Sequence, residues 1–219
     1  MRCLSFLLSA VMLAAGPALA AEEVSGVGPL QIRSVREFAK TLANDIRFLD
    51  DPASIESFLA ALDGEPPDWP TVYGQGHHDP GHDERLFNLN RARDAKREGN
   101  PALQTRIAFV WSGELSRFDP ETDGYSIALG PVFTATRWGV VRFKPEDLPG
   151  ELRAVPDPEQ AVRVKELMDR GKPVEPAVLF IGRLIPGESL VYDFSHDEEG
   201  LGLIIPFVRI EQVHYVWDR

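Results

Sequence analysis

The chain has 219 residues, with 23 Lys or Arg against 34 Asp or Glu, and a formal net charge of −11 with histidine neutral. So acidic a surface repels phosphate backbones, and the one basic run, Arg91 to Arg97, is diluted by Asp94, which excludes nucleic acid as a partner. A single cysteine, Cys3, excludes a disulfide framework, so the fold has to be held by an apolar core, which a chain of this length can build.

The chain opens with Met1-Arg2, an apolar run from Cys3 to Gly16, and Pro17-Ala18-Leu19-Ala20. A positive start, an apolar stretch of about 14 residues and a small-x-small site are what an export pathway and its peptidase read, so residues 1–20 are expected to be a signal peptide cut after Ala20. The stretch is shorter than the roughly 20 apolar residues of a membrane helix, and no later stretch of the sequence reaches that length without a charge. An exported, soluble protein follows, periplasmic or secreted, with no transmembrane segment and no thiol in its mature chain.

Residues 21–101 read as a helical segment. Ser34 and Glu37 form a capping box, and Val35, Phe38, Ala39, Leu42, Ile46 and Leu49 follow the helical period as one stripe. Asp51-Pro52 opens a second helix, whose stripe of Ile55, Phe58, Leu59 and Leu62 is closed by Gly64. Residues 65–82 carry Pro66, Pro67, Pro70, Pro80, Gly74, Gly76 and Gly81 and read as a loop. Asp83 caps a third helix that runs to Glu98, with Gly99 as its stop.

Residues 102–219 read as β-rich. Ile107, Phe109, Trp111 and Leu115 alternate with a more polar face; a turn over Asp119 to Gly124 and a second alternating run then complete a hairpin. Trp138 to Phe143 gives another strand, and Asp157-Pro158-Glu159-Gln160 opens a helix that ends at Gly171. Ala177 to Ile185 and Ser189 to Phe194 form a hairpin around Pro186-Gly187, and a long last strand is broken or bulged at Pro206. The runs Ala108 to Leu115 and Ala177 to Leu184 place Gly113 and Gly182 at the same point of an apolar strand, as at a barrel corner. Residues 103 to 217 are therefore similar in outline to an OB-type five-stranded barrel, a resemblance resting on element order and two glycines. The expected class is α+β: a helical N-terminal segment followed by a strongly curved antiparallel sheet or small OB-like barrel with one inserted helix.

Histidines gather at His77, His78 and His82, next to Asp79 and Asp83. By residue type these could hold zinc or copper. The spacing argues for a solvated turn instead, because Pro80 and Gly81 forbid the helix that would put His78 and His82 on one face. Residues 119–124 and 193–200 alternate carboxylates as calcium loops do, but lack the closing Glu and read as hairpin turns. His196, Asp197, Glu198 and Glu199, with Tyr192 near by, could trade protons, yet no Gly-x-Ser-x-Gly elbow, dinucleotide fingerprint or phosphate loop accompanies them. Trp69 and Tyr73 either pack the helical part onto the sheet or meet a partner.

The sequence thus points to a non-catalytic binding or assembly module of the cell envelope, without a cofactor, whose partner is another envelope protein or a small ligand. The alternative is a metal-binding protein or metal-dependent hydrolase using His77, His78, His82 and Asp83.

Overall fold

A computed structural model of the chain describes residues 24–76, 79–195 and 201–217. The expected signal peptide, His77, His78 and the proton-trading run 196–199 lie outside these residues. The elements in chain order are β1 (Val27–Ile32), α1 (Val35–Ala39), β2 (Ile46–Phe48), α2 (Pro52–Asp63), α3 (Trp69–Tyr73) and α4 (His82–Arg97). A 3-10 turn at Pro101–Gln104 leads into β3 (Arg106–Asp119), β4 (Gly124–Gly130), β5 (Thr134–Thr136), β6 (Gly139–Val141), β7 (Lys144–Glu146) and β8 (Arg153–Val155). Then come α5 (Pro158–Asp169), β9 (Ala177–Leu184), β10 (Leu190–Phe194) and β11 (Gly202–Trp217).

Strands β1, β8, β4, β3, β9 and β11 pair in that order, and β11 returns to β1 through Leu30–Tyr215 and Ile32–Trp217, which closes a six-stranded barrel. The α+β class and the barrel are as expected, but the pairing is mixed rather than antiparallel: β1 runs parallel to both β8 and β11. The five-stranded OB outline gives way to six strands because β1, from the segment that the sequence presents as helical, and the short β8 enter the barrel, while β6 and β10 lie outside its closed path. That segment also contributes β2, which lies parallel to β3. Its apolar stripe from Val35 to Leu49 belongs to two elements: α1 stops at Ala39, and Ile46 pairs across to Arg106.

Alternation on the strands builds two cores. Ile107, Phe109 and Trp111 on β3, with Val178 and Phe180 on β9, fill the main one together with Ile55, Phe58 and Leu59 of α2 and Val164 of α5. Their neighbours Ala108, Leu179 and Ile181 face the other way and, with Val216, receive Phe38 of α1. A period of two is what separates the faces. Both echoed glycines sit where backbones approach closely: a Cβ at Gly182 would lie 2.1 Å from the carbonyl oxygen of Arg209, and one at Gly113 would lie 2.9 Å from that of Pro176.

Several local expectations change. β9 and β10 do not pair as a hairpin; each lies against β11, β10 along residues 202–206 and β9 along 208–216. β11 runs through Pro206 unbroken, because that residue falls where the neighbour on its other side changes from β6 to β7, and the register slips between Ile210 and Gln212 instead. The Pro-rich loop contains α3, capped by the Asp68 side chain. Gly81, not Asp83, occupies the N-cap of α4, and Asp83 sits in the first turn, where its charge suits the helix dipole.

Candidate functional site

The histidine loop is described only in part. His82 stacks on Phe194 with centroids 4.9 Å apart, and its Nε2 lies 3.4 Å from Asp83. Asp79 is occupied: its carboxylate accepts from the amides of Gln75 and Gly81 and from Arg85 at 2.9 Å. Those amide bonds first, then Arg85, hold its pKa down at about 2. A guanidinium already seated on the carboxylate competes with any cation for it. Among the described residues no group of three His, Cys, Asp or Glu side chains gathers as a metal site.

Trp69 and Tyr73 are turned inward, 4% and 5% exposed, and take the packing role of the two the sequence offered. The Trp69 indole donates to the Trp138 carbonyl at 2.6 Å, and the Tyr73 hydroxyl donates to the Leu201 carbonyl at 2.6 Å while accepting from the Ser195 amide. Tyr73 therefore ties together the two ends that flank 196–200.

Tyr192 belongs to a buried ionic cluster that the sequence did not reveal. Arg97, 2% exposed, donates from Nε and from Nη2 to the two oxygens of the fully buried Asp63, at 2.7 and 3.1 Å, and reaches Asp94 at 2.8 Å. The Tyr192 hydroxyl also donates to Asp63. Burial, then the Asp63 charge, push the Tyr192 pKa well above its ordinary value, so the hydroxyl keeps its proton. Burial works against the Arg97 charge, but its hydrogen bonds to Asp63 and the charges of Asp63 and Asp94 together outweigh it and leave its pKa raised. With every strong donor and acceptor engaged, the cluster is a clamp joining α2, α4 and β10.

Among the described residues, two of the depressions that open to solvent are candidates. The larger, about 580 Å³, lies along β3, β4 and β9, where Val110, Trp111, Leu129 and Val132 line it and its ionisable groups are the like-charged pair Glu114 and Glu175. The smaller, about 330 Å³, lies between α1 with its following loop and the barrel wall. Phe38, Leu42, Ile46 and Ile181 give it apolar sides, and Gln31 of β1, Thr41, Arg106 of β3 and Gln212 and His214 of β11 converge on it. Both have apolar walls, and the smaller is the stronger candidate because an imidazole, a guanidinium, two side-chain amides and a hydroxyl face it, where the larger offers mainly two like charges.

His214 is its most reactive group. The imidazole packs 4.9 Å from the Phe38 ring, and burial first, then the charge of Arg33, lower its pKa. A neutral imidazole offers one donor and one acceptor, and among the described residues it makes no hydrogen bond. Arg106 is held by Asp45 at 3.2 Å and Glu211 at 2.9 Å; burial opposes its charge, and these two bonds more than restore it. The Thr41 hydroxyl donates to the Phe38 carbonyl at 2.7 Å, so it is engaged in the turn. The geometry suits holding a ligand by hydrogen bonds and charge. The sequence carried one signal of this cleft, a lone histidine on the outward face of a terminal strand, and nothing in it marked which helix would cover that face.

Compared with known proteins, the chain matches no family model, no curated protein and no solved structure.

Proposed function

We propose that this chain is an exported, non-catalytic binding or assembly module of the cell envelope, and that it seats a small ligand between α1 and the barrel wall. The observation that carries the reading is the make-up of that cleft, in which polar side chains from three strands and the loop after α1 meet round an apolar pocket. Its polar groups are donors and acceptors suited to recognition, and the one hydroxyl among them is already bonded to the backbone. The export part of the proposal rests on Met1 to Ala20.

The test is a titration of the isotopically labelled mature protein with a panel of small polar and amphipathic compounds, followed by NMR. Shifts should cluster on Thr41, Ile181 and Gln212. Shifts clustered elsewhere would displace the site. A reproducible hydrolytic activity abolished by His214→Gln would replace binding with catalysis.

A further inference from the structure

Charges round the cleft are unevenly paired. Three guanidiniums, Arg33, Arg106 and Arg183, stand against two carboxylates, Asp45 and Glu211. Arg106 bonds both carboxylates, and Arg183 shares Glu211 at 2.9 Å. Arg33 has no ion pair among the described residues: its guanidinium lies 4.7 Å from the Phe38 ring centroid and donates to the Gln31 side chain. Phe38 thus touches both Arg33 and His214. A chain with a net charge of −11 keeps a surplus positive charge beside this cleft, against the Phe38 ring that lines it.

We infer that the cleft takes a monocarboxylate with a short apolar tail, the carboxylate meeting Arg33 and His214 and the tail lying along Leu42, Ile46 and Ile181. This rests on the binding reading above. One surplus charge favours a monoanion over a dianion, because Asp45 and Glu211 would repel the second charge. Apolar sides favour a tail over a bare anion, and 330 Å³ has room for about ten water-sized groups.

Binding should also take up a proton. His214 faces Arg33 beyond the end of β1, Phe38 of α1, and the uncharged Leu179 and Ile181 of β9, while Arg36, Glu37 and Lys40 lie on the exposed side of α1. Arg33 is the charge that disfavours imidazolium, and an arriving carboxylate offsets it. The complex should therefore be tighter at about pH 5.5 than at about pH 8.

Octanoate and its neutral counterpart octanamide test this on the mature full chain by calorimetry and NMR. Octanoate should shift Thr41, Ile181 and Gln212 and bind about tenfold more tightly than octanamide, as one charge-assisted contact predicts. Arg33→Gln should remove most of that preference, read as the ratio of the octanoate and octanamide affinities within the one variant. If octanamide binds those residues as tightly, or inorganic phosphate more tightly than octanoate, the carboxylate assignment falls and the cleft survives as a site. If neither octanoate nor octanamide shifts a cleft residue, the binding reading falls with it.

Discussion

At residue scale, the ion pair between Arg97 and Asp63 decides most. Both side chains are almost wholly withdrawn from water, so each depends on the other for solvation. Arg97→Met would leave the Asp63 carboxylate with the Tyr192 hydroxyl as its remaining donor, Arg93 and Lys96 being on its backbone carbonyl, and should cost about 3–5 kcal/mol in urea unfolding. A loss below about 1 kcal/mol would mean the pair behaves as a surface contact. In the sequence Arg97 looked like one more charge on a solvated helix, since its partner stands on another helix. His214 is the second such residue. Its lowered pKa means that the unfolded chain binds a proton more readily, so stability is full above the unfolded value of about 6.5 and is lost as pH falls through that value. Replacing His214 with Gln should flatten the stability curve between about pH 7.5 and 5.5, measured by urea unfolding at each end.

At the scale of elements, caps were legible and partners were not. The boxes at Ser34 and Asp157 and the cap at Asp51 form as their sequences indicate, because each needs only residues three apart. Strands β2, β5, β7 and β8 have three residues each, too few to show a period, and exist only through the strand beside them, whereas β6 falls inside the run from Trp138 to Phe143 that reads as a strand. Helix α3 shows how tightly one element can depend on another. Its Trp69 indole occupies the space of a side chain at Gly202, where a Cβ would come within 1.8 Å of the ring. Gly202→Ala should therefore destabilise by about 1–3 kcal/mol, as overpacking does, and a neutral result would mean that α3 is free to lift away. Deleting 66–73 should abolish cooperative unfolding, whereas a docking loop could be removed without harm. The Asp79 clasp belongs to the same scale. A depressed carboxylate contributes above its ordinary pKa of 3.8 and loses that contribution as pH falls through about 2, so the Gln75 and Gly81 amides should stay protected at pH 4 and open only near the lower value. Hydrogen exchange followed residue by residue reads this out.

At the scale of the whole molecule, the barrel and the α+β class could be read from alternation and the paired glycines, while closure could not, since it depends on β1. Among the described residues no helix is long and apolar enough to cross a membrane. Two measurements bear on the chain as a whole. Protein recovered from an expressing bacterium's periplasm should begin at Ala21, by N-terminal sequencing; an intact Met1 there would contradict the expected cut. Elemental analysis should return under about a tenth of an equivalent of zinc or copper, with no change in melting on chelation; a full equivalent would restore the histidine loop as a metal centre.

The seam between Leu30 and Tyr215 also sets an order of events. Among the strands β11 comes last in chain order, and until it is made β1 has only half its neighbours, so the barrel cannot close before that strand arrives. Closure is thereby tied to strands far apart in sequence, and β1 waits with one side unpaired until β11 is in place.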